Sequence, residues 1–203
     1  SEITELLKEK QILLLNLISS PGSGKTTLLE RTVEFLKDRY SIAVIEGDIT
    51  TARDAERLEK YNIPIVVINT DGACHLNSMS IQKALMQFDL DDLDIIFVEN
   101  VGNLVCPSEF NIGEAAKVAV LSTTEGDDKP AKYPLLFRES ELMILNKMDL
   151  APYTNFNKAS FYRDLENINK NLPVIETSCT KNEGLQKWFD WVEQKSMNGG
   201  VRK

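Results

Sequence analysis

Short runs of consecutive apolar residues alternate along the chain with longer stretches in which apolar positions recur at a helical period. The runs are rich in Val, Ile and Leu and show little polar alternation, which is typical of parallel strands covered on both faces. We predict strands at residues 12–18, 42–46, 65–68, 95–98, 118–122, 142–145 and 174–177.

The helix-like stretches lie between these runs, at residues 26–38, 51–60, 77–88, 156–169 and 183–194. This order predicts an α/β fold with a mostly parallel central sheet and helices on both faces. No repeat and no Pro- or Ser-rich linker interrupts the alternation, so we expect residues 1–203 to form a single domain. Ligands of such sheets bind beyond the carboxyl ends of the strands, which directs attention to the loops that follow them.

Composition narrows the class of protein. Of the 203 residues, 42% are hydrophobic and 27% are charged, as in a globular domain. Acidic residues outnumber basic ones by 31 to 23, and the net charge of −8 argues against partners such as nucleic acid or an anionic membrane. The chain has no membrane-length apolar run, no signal-peptide pattern, and only three cysteines, too few for a disulfide framework. We therefore expect a cytoplasmic protein.

A glycine-rich loop with the sequence S-S-P-G-S-G-K-T follows the first predicted strand. It fits the phosphate-binding P-loop pattern except at its first position, where Ser19 replaces glycine. In a P-loop NTPase, backbone N–H groups face the phosphates, the lysine reaches the β- and γ-phosphates, and the threonine hydroxyl binds Mg²⁺. A glycine-rich turn with a chance Gly-Lys-Thr is the alternative, and the flanking strand and helix argue against it. We assign nucleotide contacts to Pro21, Gly22, Ser23, Gly24, Lys25, Thr26 and Thr27.

Two further predicted strands end in acidic residues at the same edge of the sheet. Asp48 follows the second strand, and Glu99 follows the fourth, with Gly102 three residues later. Mg²⁺ needs only one or two carboxylates, so Asp48 is a candidate Mg²⁺ contact or orients the attacking water, while Glu99 acts through the metal's water shell. The Gly102 N–H is expected to face the γ-phosphate. Lys25, Asp48 and Glu99 form the predicted catalytic set; simple helix capping by the carboxylates is the alternative.

The sequence N-K-M-D at residues 146–149 follows the sixth predicted strand. The Asp149 carboxylate can accept hydrogen bonds from guanine N1–H and the 2-amino group, which adenine lacks, and such sites discriminate by about 10⁴ or more. Lys147 would cover the ring with its apolar stem, and Asn146 would tie this loop to the P-loop. Backbone N–H groups at Ser178 and Cys179 are candidate contacts to the guanine oxygen. These features favour GTP over ATP.

Cys74 and the only histidine, His75, follow the third predicted strand, and Cys106 follows the Glu99–Gly102 segment. Thiolate and imidazole together suit Zn²⁺, Ni²⁺ or copper. Three ligands are fewer than the four of a closed structural site, so water or a second chain would complete the coordination. Adjacent Cys-His is not a standard zinc spacing, and buried free thiols are the alternative. Cys179 is interpreted as structural.

The segments SSPGSGKT, EGDIT with TARDAERL, GACHL, ENVGNLVCP, TEGDDKP with AKYP, and NKMD together resemble the HypB family of hydrogenase maturation GTPases. The resemblance implies a nickel chaperone that uses GTP binding and hydrolysis to help deliver Ni²⁺ to the large subunit precursor of [NiFe]-hydrogenase. It implies a homodimer when GTP is bound and a HypA-like metallochaperone as partner. It also implies Ni²⁺ or Zn²⁺ on Cys74, His75 and Cys106, Mg²⁺ on Thr26 and Asp48, and guanine on Asn146 and Asp149.

The hypothesis is therefore a switch with slow turnover. No arginine finger is assignable, since Arg53 and Arg57 are expected on a solvated helix face, and such an Arg is worth ~10³-fold or more in rate. A UreG-like urease accessory GTPase and a general nickel or zinc storage protein are the competing functions. The Glu125–Lys129 part of the TEGDDKP segment has no assigned role, and a solvated charged loop is the plain interpretation.

Overall fold

A computed structural model describes residues 1–48 and 53–201, with the side chains of residues 48 and 53–55 outside that description. Within this part, seven strands form one sheet in the order β3-β2-β4-β1-β5-β6-β7, and every neighbouring pair is parallel. The strands are β1 Leu13–Ser19, β2 Ile42–Asp48, β3 Ile65–Asn69, β4 Ile95–Glu99, β5 Ala116–Ser122, β6 Leu142–Asn146 and β7 Val174–Glu176. The expected α/β fold is confirmed, and the sheet is wholly parallel.

The helices connect these strands and cover both faces of the sheet. They are α1 Glu2–Glu9, α2 Lys25–Leu36, α3 Arg53–Glu59, α4 Ser78–Leu85, α5 Cys106–Glu109, α6 Lys129–Lys132, α7 Pro134–Glu139, α8 Lys158–Asn169 and α9 Leu185–Asn198. The three shortest, α5 to α7, were not predicted, because each is too short to show a helical period and is marked only by a proline in its first turn. The predicted helices that correspond to α2, α4, α8 and α9 differ from the structure by a few residues at their ends. Residues 51–52 of the predicted 51–60 helix lie outside the described residues.

The core consists of two layers, one on each face of the sheet. β1 is buried along its whole length, and its alternate side chains enter different layers. Leu15 packs with Leu28 of α2 and Trp188 of α9 on one face. On the other face, Leu14 packs with the α1 and α4 side chains, and Ile18 packs with those of α7 and α8. The nearly continuous apolar strand runs are explained by this two-sided burial.

The strand order places chain segments that are distant in sequence side by side. β1 lies between β4 and β5, so the loops after β1, β4 and β5 meet at one edge of the sheet. β4 also pairs with β2, which aligns Glu46 with Glu99 across the two strands. Among the described residues no helix is both long enough and apolar enough to span a bilayer.

Candidate functional site

The loop between β1 and α2 is curled back on itself by glycines in the left-handed region. Gly24, which precedes the first residue of α2, has φ +92°, and a Cβ at this position would lie 2.4 Å from Asn146 Nδ2. Only glycine fits both the conformation and the space. The loop therefore has the shape of a phosphate cradle ending in a helix N-terminus.

A cleft of about 640 Å³ opens above this loop. It is lined by Ser19, Ser20, Pro21, Gly22, Ser23, Gly24, Lys25, Thr26, Thr27, Glu46, Gly47, Arg57, Glu99, Asn100, Val101, Gly102, Lys147 and Thr180. All the residues assigned to phosphate from the P-loop sequence thus line one cleft, together with Glu99, Gly102 and Lys147. Gly102 lies directly against Pro21, since a Cβ on Gly102 would be 2.9 Å from Pro21 Cγ.

The P-loop side chains contact the end of β4. Thr26 is buried and its hydroxyl donates to Glu99 Oε1 at 2.8 Å. The Lys25 ammonium, also buried, donates to the carbonyl oxygen of Asn100. The hydroxyl and carboxylate oxygens that Mg²⁺ prefers are therefore together beside the phosphate cradle, and this donor set fits the ion. The side chain of Asp48, the other predicted Mg²⁺ contact, lies outside the described residues.

Glu46 is a cleft residue that was not among the site residues predicted from the sequence. It is 3% exposed, lines the cleft, and stands opposite Glu99 in the β2–β4 register. The signal was a carboxylate inside an apolar strand run, which is costly to bury without a charged or hydrogen-bonding partner. Two buried carboxylates thus flank the place where phosphate-bound cations are expected.

Arg57 is exposed, as expected, but its guanidinium reaches the cleft. It donates to Thr27 Oγ1 at 3.0 Å and forms an ion pair with Glu30 of α2. The side chain of Arg53 lies outside the described residues. Arg57 therefore brings a positive charge to the cleft rim from the helix that follows β2.

The loop after β6 is tied to the P-loop by two side chains. Buried Asn146 donates from Nδ2 to Ser23 O at 3.0 Å and accepts at Oδ1 from Thr177 Oγ1 and the Cys179 N–H, both at 3.1 Å. Lys147 Nζ donates to Gly22 O at 2.6 Å. The contact expected between Asn146 and the P-loop is present, and it also fixes the loop after β7.

Asp149 lies beside the loop after β7. Its Oδ1 accepts from Ser178 Oγ at 2.6 Å, and Oδ2 is 3.8 Å from Lys181 Nζ. The Ser178 hydrogen bond, aided by Lys181, lowers the pKa of the Asp149 carboxyl and keeps it ionised. The N–H groups of Ser178 and Cys179 already donate to Glu183 O and Asn146 Oδ1. A contact from these two amides to the guanine oxygen therefore stays a prediction. It requires one of the two N–H groups to share its hydrogen between the present acceptor and the guanine oxygen.

The side chain of Cys179 is structural in this fold. It is 2% exposed, and burial raises its thiol pKa to about 11. Such a thiol is neutral and unreactive at physiological pH. This contrasts with the other two cysteines, which are exposed or half-buried.

The segment around Glu125 is not a purely solvated loop. Glu125 is half-buried and accepts at Oε2 from the Ser122 N–H at 2.7 Å and the Ser122 hydroxyl at 3.1 Å. Burial raises the pKa of the Glu125 carboxyl. Thr123 Oγ1 donates to Lys147 O at 2.7 Å. This turn after β5 therefore supports the loop that carries Lys147 and Asp149, a role that only the tertiary structure reveals.

The ligand atoms of Cys74, His75 and Cys106 all lie within 4.8 Å of one another. Cys74 Sγ is 2.7 Å from Cys106 Sγ and 3.6 Å from His75 Nδ1. The hydrogen bond with Cys106 raises the pKa of the Cys74 thiol. Two sulfurs and an imidazole at this spacing fit a soft or borderline divalent metal ion. The sequence prediction that these three residues come together is borne out by this geometry.

Two loops hold the cluster. Cys74 and His75 lie between β3 and α4, where Asn103 Nδ2 donates to Cys74 O at 3.3 Å, and Cys106 begins α5. The His75 ring stacks on Phe110, with ring centroids 4.3 Å apart and planes 4° apart. Phe110 follows α5 and was not predicted, because nothing in its local sequence marks it as a partner of the histidine.

Comparisons with known proteins agree with this arrangement. A profile described as the CobW/HypB/UreG nucleotide-binding domain matches residues 13–176. The hydrogenase maturation factor HypB of Escherichia coli K12 is 50% identical over 181 residues, which cover 89% of this chain but 62% of that protein. The chain thus spans less than two thirds of that relative. The hydrogenase/urease maturation factor HypB of Helicobacter hepaticus is 42% identical, with 96% of this chain and 81% of that protein covered.

Solved structures give the same result. The structure of HypB from Helicobacter pylori in complex with nickel superposes with a TM-score of 0.92 at 35% identity, covering 100% of this chain and 95% of that one. The LAO/AO transport system kinase matches with a TM-score of 0.62 at 18% identity over 96% of this chain and 64% of that chain, which supports the fold alone.

Proposed function

The chain belongs to the HypB family of nucleotide-binding maturation factors, and on this premise we propose that it is a GTP-hydrolysing nickel carrier for [NiFe]-hydrogenase maturation. One observation carries the proposal. A short segment of the chain runs from Glu99, the partner of Thr26 in the phosphate cleft, to Cys106 of the Cys74/His75/Cys106 cluster. Segments beside the γ-phosphate are those that respond to nucleotide state.

GTP is the proposed nucleotide because of the loop after β6. The ionised Asp149 carboxylate offers acceptors for guanine N1–H and the 2-amino group and would be left unpaired by adenine. Asn146 fixes this loop to the P-loop, so the proposed base site would keep a constant distance from the proposed phosphate site. The Lys147 stem is the proposed cover for the ring.

We assign hydrolysis to residues that line the cleft, together with Asp48 as predicted from the sequence. A bound Mg²⁺ would neutralise charge that develops on the phosphates during hydrolysis. Thr26 and Asp48 are the proposed ligands of that ion, and Glu99 and Glu46 are proposed to orient water around it. Lys25 would bind the β- and γ-phosphates, and the Gly102 N–H would face the γ-phosphate. Turnover without a partner is expected to be slow.

Nickel is the proposed cargo, held by Cys74, His75 and Cys106. A relative was solved with nickel bound, and the sulfur and imidazole donors also suit Zn²⁺. Three ligands leave room for a further one, and exposure of Cys74 allows it to come from water or from a second copy of the chain. We propose a homodimer in the GTP state, a cytoplasmic location, and a HypA-like metallochaperone and the hydrogenase large subunit precursor as partners.

A urease-directed role is the second candidate, because the Helicobacter hepaticus relative is named for both hydrogenase and urease. The two functions share the switch and the metal site and differ in the protein that receives the metal. Transfer of ⁶³Ni from the loaded protein to purified hydrogenase large subunit precursor or to apo-urease, in parallel reactions, distinguishes them.

The experiment that tests the proposal compares Ni²⁺ binding and GTP hydrolysis in three variants. Cys74→Ser and Cys106→Ser should each lose tight Ni²⁺ binding while retaining GTP binding. Cys179→Ser is the matched control and should bind Ni²⁺ as the wild type does, because this buried thiol lies outside the cluster. Unchanged Ni²⁺ affinity in both cluster variants would remove the carrier function, and hydrolysis of ATP in preference to GTP would remove the nucleotide assignment.

A further inference from the structure

A set of buried polar side chains connects the phosphate cleft to the two loops that carry the metal cluster, and the proposed chemistry gives these side chains no role. They belong to β1, β5 and the segments next to them, and none exceeds 9% exposure. They are Asn16, Asn100, Ser108, Glu114 and Lys117. Burying so many polar groups is costly unless they are hydrogen-bonded to one another.

Asn100 is the residue at which this set meets the nucleotide cleft. Its carbonyl oxygen accepts from the Lys25 ammonium, the group that a P-loop directs at phosphate oxygens. Its side-chain Oδ1 accepts from the Leu76 N–H at 3.2 Å and from the Val101 N–H at 2.9 Å. Leu76 directly follows His75, and its buried side chain packs on Gly47 at the end of β2. One residue therefore touches both the P-loop lysine and the loop that carries two metal ligands.

A second series of side-chain contacts runs from Asn100 to the helix that begins at Cys106, the third ligand. Asn100 Nδ2 donates to Asn16 Oδ1 at 3.1 Å, and Asn16 Nδ2 donates to Glu114 Oε1 at 3.3 Å. The Lys117 ammonium lies 3.9 Å from Glu114 Oε1 and donates to Ser108 O at 2.7 Å. Ser108 belongs to α5, the helix that begins at Cys106. These contacts thus connect Asn100 to α5, the helix that positions the Cys106 sulfur.

Asn100 is therefore hydrogen-bonded toward both loops that carry the metal ligands. A shift of its backbone when Lys25 moves toward phosphate would act on the Cys74–His75 loop directly and on α5 through the chain of side chains. Because the intervening groups are buried and hydrogen-bonded, their arrangement is specific rather than freely adjustable. Both halves of the cluster would therefore respond to the same event.

We propose that Asn100 is the positioning residue that couples the nucleotide state of the cleft to the metal affinity of the Cys74/His75/Cys106 cluster. This inference rests on the proposed function and names the residue through which its two sites communicate. Coupling between two sites appears as a ratio of affinities and is reciprocal. Loosening of the fold alone weakens metal binding in both nucleotide states and leaves that ratio unchanged.

The test measures the Ni²⁺ dissociation constant by competition with a chromogenic chelator, once with GDP and Mg²⁺ and once with a non-hydrolysable GTP analogue and Mg²⁺. The wild type is expected to give a ratio of about 5-fold or more between the two states. Asn100→Ala should bring the ratio to within about twofold of unity. Asn100→Ser carries the same expectation if the alanine variant fails to fold, because its hydroxyl is too short to reach the Leu76 N–H.

Asn169→Ala is the matched control, since this amide also joins two backbone groups, Phe137 O at 3.0 Å and the Asn171 N–H at 3.3 Å, away from both sites. It should retain the wild-type ratio. A wild-type ratio in folded Asn100→Ala or Asn100→Ser overturns the inference and leaves the proposed function standing. A wild-type protein whose Ni²⁺ affinity ignores the nucleotide overturns both.

Discussion

Replacement of Asp149 by asparagine isolates the contact on which the assignment of GTP depends. The change keeps the size of the side chain and an oxygen for the Ser178 hydroxyl, which donates to Asp149 Oδ1 at 2.6 Å. It replaces the remaining carboxylate oxygen, near Lys181, with an NH₂ group that can only donate. Guanine presents two donors at this point, so two favourable contacts become at best one.

The magnitude follows from the kind of hydrogen bond that is lost. A hydrogen bond to a charged group contributes about one to two orders of magnitude in affinity, so losing the charge and one or both bonds should weaken GDP binding by about 10²- to 10⁴-fold. Xanthosine diphosphate, which carries an oxygen in place of the 2-amino group, should lose much less or bind more tightly in the variant. ADP should bind poorly to both proteins.

The assay is competition against a fluorescent GDP derivative in the presence of Mg²⁺, with GDP, xanthosine diphosphate and ADP as competitors. Asp190→Asn is the matched control, because Asp190 is exposed on α9 and contacts only Gln186 among the hydrogen bonds of the described residues. If the GDP affinity of Asp149→Asn is within about threefold of the wild-type value, the carboxylate at this position does not determine guanine specificity and the assignment of GTP fails.

Three further outcomes follow from the site. Gly24→Ala should lower GDP affinity at least ~10-fold in the same titration, because the left-handed conformation costs an alanine about 1–2 kcal/mol and the new Cβ would clash with Asn146. Wild-type GDP affinity in this variant would contradict the assignment of this loop to phosphate binding. Ni²⁺ affinity should rise between pH 6.5 and pH 8, since the raised pKa of the Cys74 thiol means that a proton must leave before the sulfur binds metal; a falling affinity would exclude thiolate ligation. Phe110→Ala should weaken Ni²⁺ binding several-fold without changing GDP affinity, because His75 loses the ring that orients it; equal loss of both affinities would indicate a general defect.

The features that could be predicted from the sequence are those whose residues are adjacent or nearly adjacent in the chain. The P-loop at residues 19–26 and the N-K-M-D loop at residues 146–149 each carry their chemistry within a few positions, and the parallel sheet follows from uninterrupted apolar runs. Cys74, His75 and Cys106 were predictable as a group because cysteine and histidine are rare in this chain. Their residue types alone indicate metal chemistry.

The features that could not be predicted depend on which strands are neighbours. Glu46 becomes a cleft residue only because β2 pairs with β4, although β3 stands between them in sequence. Asn100 lies in the ENVGNLVCP segment, but its residue type does not indicate its contact with Asn16 of β1. The hydrogen bond from Lys117 to Ser108 O of α5 is likewise not indicated by the sequence around either residue. The short helix α5 has too few residues for a period and is fixed by Lys117 and its tertiary contacts.

The central claim is that nucleotide state and metal binding are linked in one switch. Ni²⁺ and Zn²⁺ stoichiometry should be measured together with sedimentation mass, in GDP and in a non-hydrolysable GTP analogue. The account predicts that the mass doubles with the analogue and that metal bound per chain, or its affinity, changes with it. If the mass stays that of one chain and metal binding is the same in both nucleotides, Cys74, His75 and Cys106 form at most a static site and the switch is contradicted.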